Sequence, residues 1–188
     1  MSYKILAFIG EAGAGKDKIF QSYLSLSKRT DLYEIISCTT RPKREGEAEG
    51  VNYYYLTNEQ FANKIWNNEM LEASSFNGWA YGTSYDSLRS GLLNVGVFNP
   101  DGIEALLNRK DIDLVVIRVR VSDKTRLIRQ LQRETNPDIE EIIRRYSADK
   151  IDFAFLDFDY ITLDNEENRE SFQSVVDWID LQLEGKFD

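Results

Sequence analysis

The spacing of apolar residues changes at a glycine-rich stretch near the start of the chain. Residues 4–9 (KILAFI) are almost continuously apolar, which is typical of a buried strand. After the glycines, Ile19, Phe20 and Tyr23 recur at the spacing of one helical face. The pattern therefore predicts a strand, a loop and a helix in that order.

The middle of the chain has short apolar runs separated by turn residues. Residues 32–36 and 51–56 are rich in β-forming side chains, and polar sequence with a proline and glycines lies between them. Thr57 and Gln60 have the spacing of a capping box, which predicts a short helix beginning there. We expect residues 37–91 to form an α+β insertion.

The second half of the chain returns to strands that alternate with helices. Strands are predicted at residues 93–98, 114–121 and 160–163, and apolar positions between and after them recur at helical spacing. This alternation predicts an α/β fold with a mostly parallel sheet covered by helices on both faces. Residues 1–36 and 92–188 would form its core.

The composition indicates a folded, soluble protein, because 42% of the 188 residues are hydrophobic and 29% are charged. The longest aliphatic run, residues 114–117, is far shorter than the roughly 20 residues of a membrane helix. We therefore expect no membrane contact and a cytoplasmic location. No histidine accompanies the single cysteine, so Cys38 is expected to be a small buried apolar side chain.

The charge of the chain is unevenly distributed. A formal net charge of -9 disfavours a nucleic-acid partner, since such binding relies on a broad basic surface. Residues 118–150 nevertheless contain nine of the 23 lysines and arginines against six acids. A locally cationic segment in an acidic protein is what a bound phosphate chain requires.

Residues 10–17, GEAGAGKD, nearly match the phosphate-binding loop pattern G-x-x-x-x-G-K-[S/T], between the strand and the helix that the pattern requires. Glycines let backbone N–H groups surround a phosphate, the helix N-terminus adds partial positive charge, and the lysine can reach the β- and γ-phosphates. An ordinary glycine-rich turn is the alternative. The residues of this predicted nucleotide-binding loop are Gly10, Glu11, Ala12, Gly13, Ala14, Gly15, Lys16 and Asp17.

Asp17 departs from the loop pattern, because it stands where a hydroxyl normally meets Mg²⁺. A carboxylate is a hard oxygen ligand for Mg²⁺, but it also adds negative charge beside the phosphates. Asp17 is therefore a candidate metal ligand whose effect on activity the sequence leaves open.

The motifs that follow the loop occur in the order of one protein family. T-T-R-P-K-R-E-G-E occupies residues 39–47, G-V-N-Y residues 50–53, L-E residues 71–72 and Y-G-T-S residues 81–84. Taken alone, the first of these is equally a solvated basic loop. Together with the nucleotide-binding loop, the series resembles the guanylate kinase family over essentially the whole chain.

The resemblance implies an ATP-dependent nucleoside monophosphate kinase that uses Mg²⁺ with ATP and accepts GMP or dGMP. It implies a fold like that of the P-loop nucleoside triphosphate hydrolases, with residues 37–91 as an inserted monophosphate-binding domain and a lid around residues 129–145. Two arginines and two tyrosines would hold the acceptor's phosphate, and a carboxylate would accept from N1–H and the 2-amino group of guanine. The residues to which the resemblance gives these monophosphate-binding roles are Ser37, Arg41, Arg44, Tyr53, Glu72, Tyr81, Gly82 and Thr83.

The resemblance also assigns arginines that stabilise charge during phosphoryl transfer. Arg129, Arg133 and Arg145 match arginines of the family's lid segment, and Arg129 belongs with the ATP-binding residues. Ion pairs with acids on the same helix faces are the alternative for some of them. Asp164 stands where the family has an asparagine near the adenine of ATP, with Asn165 following it. The implied catalytic residues are Lys16, Arg41, Arg133 and Arg145.

The chain departs from the family at the end of one predicted strand. The family carries acids where Val97 and Asn99 stand, and a glutamine where Asp101 stands. Those acids help to bind guanine and to organise the metal, so an acceptor other than a guanine nucleotide stays open. Asp17 and Asp101 can substitute for them in part.

Three further alternatives remain at this point. Glu72 can be an ordinary surface acid instead of a base-reading residue. The whole chain can be a non-catalytic guanylate kinase-like binding module, although a scaffold has no need of Lys16 and the glycines around it. A nucleic-acid-binding nucleotide hydrolase is disfavoured by the acidic balance of the chain.

Overall fold

The computed structural model describes residues 2–44, 46–76, 78–133, 135–166 and 171–187, which fall into two compact units. The first unit comprises Met1–Ile5, Thr30–Gly96 and Asp101–Leu114. The second unit comprises Leu6–Arg29, Val97–Pro100 and Val115–Asp188. The boundaries of a monophosphate-binding insertion at residues 37 and 91 stay a prediction.

Strands and helices follow each other in both outer parts of the chain, as the sequence predicts, and the middle contains runs of consecutive strands. The strands are β1 (Tyr3–Ile9), β2 (Leu32–Glu34), β3 (Cys38–Thr39), β4 (Tyr54–Tyr55), β5 (Met70–Phe76), β6 (Trp79–Ser84), β7 (Leu93–Val97), β8 (Ile112–Arg120) and β9 (Ile161–Asp164). The α-helices are α1 (Lys16–Leu26), α2 (Asn58–Trp66), α3 (Pro100–Leu107), α4 (Asp123–Gln132), α5 (Ile139–Asp152) and α6 (Phe172–Gln182). A short 3-10 helix covers Tyr85–Ser87.

The larger sheet has five strands in the order β2-β7-β1-β8-β9. β2 pairs with β7 and β8 pairs with β9 in parallel, with Leu32 opposite Leu93 and Ile117 opposite Ile161. Residues 5–9 of the central strand β1 are fully buried, because a strand covered on both faces is apolar without alternation. The predicted α/β fold, a parallel sheet flanked by helices, is confirmed.

The smaller sheet lies in the first unit and has the order β4-β3-β6-β5. β6 is antiparallel to both β3 and β5, whereas β3 and β4 are parallel. Gly82 on β6 lies opposite Cys38 on one side and Ala73 on the other. A Cβ added at Gly82 would lie 2.5 Å from Glu72 O, so only glycine fits where these strands are closest.

The element before α2 differs from its prediction. A strand was expected over residues 51–56, but only Tyr54–Tyr55 is a strand. The N–H groups of Val51 and Asn52 both donate to Ala48 O in a turn, so neither residue pairs with β3. The β-forming side chain of Val51 was therefore a misleading signal, because the turn that begins at Ala48, in which Gly50 has a φ of 68°, decides the local backbone.

The predicted capping box of α2 is confirmed. Thr57 Oγ1 accepts from Gln60 N at 3.1 Å, and Gln60 Oε1 accepts from Thr57 N at 2.8 Å. Phe61 is 3% exposed and anchors the helix on its buried face. The cap fixes where α2 begins because it satisfies N–H groups that have no partner inside the helix.

Helices α1 and α6 pack on each other in the second unit. Tyr23 OH donates to Asp180 Oδ1 at 2.8 Å, and burial together with this carboxylate raises the pKa of Tyr23. Val175, Val176 and Ile179 form the buried face of α6. The predicted amphipathic closing helix is therefore confirmed.

Three further expectations concern single residues and the whole chain. Cys38 is 1% exposed, which confirms it as a buried side chain, and burial raises the pKa of its thiol. Glu134, in the predicted lid segment, lies outside the described residues. None of the helices that the structure describes combines the length and the apolar character needed to cross a membrane.

Candidate functional site

The predicted nucleotide-binding loop connects β1 to α1 in the second unit. Gly13 and Gly15 have φ values of 84° and 87°, a left-handed conformation that costs free energy for residues with a Cβ. Ala14 N–H donates to Glu11 O at 3.0 Å and closes a turn. Gly15 caps α1, so the first N–H groups of the helix can donate to an anion at its N-terminus.

The glycines of the loop lie directly against neighbouring elements. A Cβ added at Gly10 would lie 2.6 Å from Val119 O on β8, and one added at Gly13 would lie 2.4 Å from Arg126 O on α4. At Gly15 the added atom would lie 2.6 Å from Asn165 Nδ2. Close approach of a neighbouring backbone therefore requires glycine at Gly10 and Gly13, and the left-handed backbone favours glycine at Gly13 and Gly15.

Arg129 and Asn165 hold the loop at Ala14. Arg129 Nη1 and Asn165 Nδ2 donate to Ala14 O at 3.3 Å and 2.8 Å, and Arg129 Nη2 donates to Asn165 O at 2.9 Å. The three residues form a closed set of contacts around one carbonyl group. Arg129, which the sequence placed with the ATP-binding residues, therefore contacts the loop from α4.

Lys16 and Asp17 begin α1 at the end of the loop. Lys16 Nζ lies 3.8 Å from Asp17 Oδ2, and the two side chains are 23% and 78% exposed. An ion pair at this distance with so exposed a partner is weak, so it does not hold the ammonium group away from a phosphate. The Asp17 carboxylate presents the oxygen donors that Mg²⁺ prefers, and its chemistry fits a metal ligand.

The predicted base-reading residues meet on the smaller sheet of the first unit. Glu72 on β5 lies opposite Thr83 on β6, and Thr83 donates to the Glu72 carboxylate from its hydroxyl and its backbone N–H. Ser37 Oγ lies 3.3 Å from Thr83 Oγ1. Either hydroxyl can be the donor in this second contact.

The Glu72 side chain is half-buried rather than an ordinary surface acid. Burial raises the pKa of its carboxyl group to about 7, although the two bonds from Thr83 favour the ionised form and lower the pKa. A desolvated carboxylate binds hydrogen-bond donors more strongly than a solvated one. Glu72 is therefore suited to a ligand with paired N–H groups.

Arg41 is 8% exposed, and its guanidinium group is held in place by several partners. Nη2 donates to Glu47 Oε1 at 2.8 Å, and Nη1 donates to Pro42 O at 2.8 Å. The hydrogen bond from Arg41 lowers the pKa of Glu47 to about 2. Glu47 Oε2 also accepts from Arg44 N and from Tyr55 OH, both at 2.8 Å.

The tyrosines expected to donate to a phosphate lie beside Arg41. The rings of Tyr53 and Tyr81 have centroids 6.0 Å apart, and Arg41 Cζ lies 5.6 Å from the centroid of Tyr53. Arg44 is exposed, with its backbone N–H bound to Glu47. The structure thus brings Arg41, Tyr53 and Tyr81 together, as the sequence predicts.

The predicted lid arginines are placed less distinctively. Arg145 Nε donates to Glu141 Oε1 at 2.7 Å, and Arg144 binds both oxygens of the same carboxylate. This is the helix-face ion pair that was the alternative for some of these arginines. Arg133 is exposed at the C-terminal end of α4. The lid roles of Arg133 and Arg145 stay predictions.

The positions where the chain departs from its family lie at ends of elements. Val97 ends β7, and Asp101 is exposed in the first turn of α3, with Asn99 before it. Asp164 is exposed at the end of β9, where its Oδ1 accepts from Glu166 N at 3.1 Å. The neighbouring Asn165, rather than Asp164, is the residue in contact with the nucleotide-binding loop.

Sequence reasoning missed Glu47, and it named Asn165 beside Asp164 without predicting its contact with the loop. Glu47 is the last residue of the T-T-R-P-K-R-E-G-E run, and an acid six positions after Arg41 was the available signal for their pairing. Asn165 directly follows β9, and its side chain lies beside Gly15. A polar residue at the end of a strand was the available signal for this contact. Both residues hold a predicted binding residue in position.

The fold and the two sets of residues define a class of protein. A strand, a glycine-rich loop with its lysine and a helix, built into a parallel sheet, are the features of a P-loop nucleotide-binding protein. The chain belongs to the guanylate kinase family, whose sequence model, described as guanylate kinase, matches residues 2–181.

Individual relatives agree with this family. The chain is similar to guanylate kinase of Thermotoga maritima, with 33% identity over 183 residues that cover 94% of this chain and 86% of the relative. Guanylate kinase of Chlorobium chlorochromatii is 32% identical over 172 residues, covering 87% of this chain and 88% of the relative. The crystal structure of guanylate kinase from Anaplasma phagocytophilum has the same fold, with a TM-score of 0.63 at 20% identity over 97% of this chain and 86% of that one.

The raised pKa of Glu72 predicts how stability depends on pH. Its folded-state pKa of about 7 exceeds the ordinary value of 4.5, so the folded protein binds more protons than the unfolded chain between these values. The free energy of unfolding therefore falls as pH rises through this window. In urea unfolding, Glu72→Gln is expected to be more stable relative to the wild type at about pH 8 than at about pH 5.

Glu69→Gln is the matched control for this measurement. The hydrogen bond from Lys64 lowers the pKa of Glu69, so Glu69 is ionised in both folded and unfolded states across most of the window. The stabilisation that ionised Glu69 contributes is lost only as pH falls below that window. The difference in unfolding free energy between Glu69→Gln and the wild type should therefore hardly change within the window. If the difference in unfolding free energy between Glu72→Gln and the wild type is equally independent of pH, that result contradicts the desolvation of Glu72.

Proposed function

We propose that this chain catalyses the transfer of the γ-phosphoryl group of ATP to GMP or dGMP, giving ADP and the nucleoside diphosphate. The observation that carries the proposal is the glycine-rich nucleotide-binding loop with Lys16, in a chain of the guanylate kinase family. A binding module without catalysis needs neither the lysine nor the three loop glycines that lie close to neighbouring elements. An acceptor other than a guanine nucleotide is the alternative within the same chemistry.

The loop and its neighbours would bind ATP. The N–H groups at the start of α1 donate to phosphate oxygens, and the Lys16 ammonium group pairs with the β- and γ-phosphates. Arg129 and Asn165 support this arrangement because both donate to Ala14 O within the loop. Asn165 and the exposed Asp164 are the side chains at the strand end that the family resemblance relates to adenine.

The first unit would bind the acceptor. Arg41 and Arg44 supply guanidinium donors to its phosphate, and Tyr53 and Tyr81 supply hydroxyl donors. Glu47 holds the Arg41 guanidinium group at 2.8 Å, so this cation is oriented without the help of a ligand. Less conformational entropy is then lost when a phosphate binds.

The base of the acceptor would be read by Glu72 and its neighbours. The ionised Glu72 carboxylate accepts from N1–H and from the 2-amino group of guanine, and Ser37 can donate to O6. Thr83 orients Glu72 through two hydrogen bonds. Guanine is favoured because adenine lacks this adjacent pair of donors, and a buried acceptor left without a donor costs about 1 to 3 kcal/mol.

Mg²⁺ with ATP fits the residues at the end of the loop. Asp17 provides a largely exposed carboxylate at the N-terminus of α1, and this is the residue that would hold the ion. When bound, Mg²⁺ neutralises charge on the β- and γ-phosphate oxygens. The ordinary hydroxyl ligand is replaced here by an anion, which also repels the phosphate chain.

Catalysis would consist of positioning and charge stabilisation without a covalent intermediate. Lys16 and Arg41 bind the phosphates of donor and acceptor, and Arg133 and Arg145 neutralise charge that develops on the transferred group. For this role Arg145 has to exchange Glu141, 2.7 Å away, for a phosphate oxygen. An arginine supplied in this way is worth about 10³- to 10⁵-fold in rate.

The proposal is tested by measuring ADP release from ATP with Mg²⁺ against a panel of ribo- and deoxynucleoside monophosphates. We expect turnover with GMP and dGMP that is lost in Lys16→Ala. This variant is expected to stay folded, because Lys16 lies at the end of the loop and its ammonium group pairs only weakly with the exposed Asp17. Turnover that prefers another base identifies the alternative acceptor. A folded protein with no turnover on any monophosphate supports the binding module and contradicts the proposal.

Replacing Glu72 is expected to change the base preference of the enzyme, whereas replacing Arg41 is expected to lower kcat/KM for every acceptor. Glu72→Gln exchanges a double acceptor for a donor and an acceptor, so the preference for GMP over IMP, which lacks the 2-amino group, should fall about 5- to 150-fold. Arg41→Ala removes a contact that every monophosphate makes, so kcat/KM should fall for all acceptors with little change in their ranking. Unchanged GMP to IMP ratios in Glu72→Gln, measured beside altered ratios in Arg41→Ala, contradict this division of roles.

Asp17 is expected to limit the use of Mg²⁺. Asp17→Ser restores the usual hydroxyl and removes a negative charge, so it should keep or raise kcat/KM for ATP and change the Mg²⁺ concentration at half-maximal activity. Asp17→Asn, which keeps an oxygen donor without the charge, separates the two effects. Collapse of activity in both variants would show instead that the Asp17 carboxylate is an essential metal ligand.

A further inference from the structure

Arg118 is a charged residue in the core of the second unit. It lies on β8 between Ile117 and Val119, which are fully buried, and it is itself 8% exposed. Its Cζ atom lies 5.2 Å from the ring centroid of Phe153 and 5.5 Å from that of Tyr160. Burying a charge costs free energy unless the charge is paired.

The partner of Arg118 is the second residue of the nucleotide-binding loop. Arg118 Nη2 donates to Glu11 Oε1 at 2.9 Å, and Nη1 donates to Tyr160 OH at 3.3 Å. Arg118 Nε has no hydrogen-bond partner, the single such case among buried side-chain N and O atoms in the described part of the chain. A buried ion pair with an unsatisfied donor stabilises a fold no better than apolar side chains of similar size. Stability alone therefore does not account for the pair.

A second buried arginine holds the next residue of the loop. Ala12 N donates to Asp149 Oδ2 at 2.9 Å, and Arg126 Nη1 donates to the same oxygen at 2.7 Å. Arg126 is 2% exposed. A Cβ added at Gly13 would lie 2.4 Å from Arg126 O, so the third residue in this run is also fixed from outside. Contacts within the protein thus hold the side chain of Glu11 and the backbone of Ala12 and Gly13.

We propose that Arg118 is a positioning residue for ATP binding, which it acts on through Glu11. By holding Glu11 it keeps the first half of the loop in the conformation from which the later N–H groups and Lys16 reach the phosphates. Donors that are already oriented lose little conformational freedom on binding, so the gain is in affinity for the nucleotide. This inference rests on the proposed kinase activity, because it names a further residue of the same ATP site.

The test compares Arg118→Met, Glu11→Gln and the double variant by thermal unfolding and by calorimetric titration with ATP and Mg²⁺. Each single variant is expected to weaken ATP binding about tenfold. Each is also expected to lower the melting temperature, because it leaves one charge of the buried pair without its partner. The ATP affinity of the double variant is expected to be no lower than that of whichever single variant binds ATP less tightly. The reason is that each single substitution already removes the contact between Arg118 and Glu11. The KM for GMP is expected to stay unchanged.

Arg109 offers a matched control in the first unit, where it forms a similar cluster. Arg109 Nε donates to Asp111 Oδ1 at 3.1 Å, Tyr85 OH donates to Asp111 Oδ2 at 2.7 Å, and Arg109 Cζ lies 4.9 Å from the Tyr85 ring centroid. Arg109→Met removes the same kind of arginine contact but is expected to leave ATP affinity unchanged. Arg118→Lys keeps the positive charge and is expected to recover part of the affinity that Arg118→Met loses.

Wild-type ATP affinity in both Arg118→Met and Glu11→Gln overturns the proposal. Equal weakening of ATP binding in Arg109→Met also overturns it, because the effect would then be one of general stability. If Arg118→Met does not fold, Glu11→Gln decides the question, since Arg118 then keeps its contact with Tyr160. A wild type that binds ATP but phosphorylates no monophosphate refutes the kinase activity, while the calorimetric comparison still decides the role of Arg118.

Discussion

The backbone of the nucleotide-binding loop has no room for a side chain at three of its glycines. Val119 O, Arg126 O and Asn165 Nδ2 stand within 2.6 Å of the positions that Cβ atoms would take at Gly10, Gly13 and Gly15. These atoms belong to β8, α4 and the end of β9, so the packing of the second unit and the shape of the loop determine each other. A loop fixed in this way presents its N–H groups without further rearrangement.

Buried arginines paired with carboxylates recur at the places where the proposed chemistry needs a fixed geometry. Arg41, Arg118 and Arg126 are the three buried arginines of the described residues. Each has one acid within 2.9 Å, namely Glu47, Glu11 and Asp149 respectively. In an acidic chain this arrangement keeps cations in place for anionic ligands, and Arg41 alone of the three is proposed to touch the ligand itself.

The sequence predicts features that depend on neighbouring residues. The strand, loop and helix around residues 10–17 follow from glycine spacing and apolar periodicity, and the α2 cap follows from Thr57 and Gln60. Contacts between distant residues were not predictable in the same way. Glu11 and Arg118 are 107 positions apart, and Ala12 and Asp149 are 137 apart, so only the tertiary packing brings them together. The half-buried state of Glu72 likewise depends on the pairing of β5 with β6, whereas the sequence left a surface acid as the alternative.

The proposed kinase activity requires the loop and the acceptor residues to serve one phosphoryl transfer. The most direct measurement follows a radioactive γ-phosphate from ATP when the protein is given Mg²⁺ and GMP together. We expect the label to move into GDP in step with ADP formation, with little of it released as inorganic phosphate. Label that stays in ATP, or that appears only as inorganic phosphate, would contradict the proposed activity.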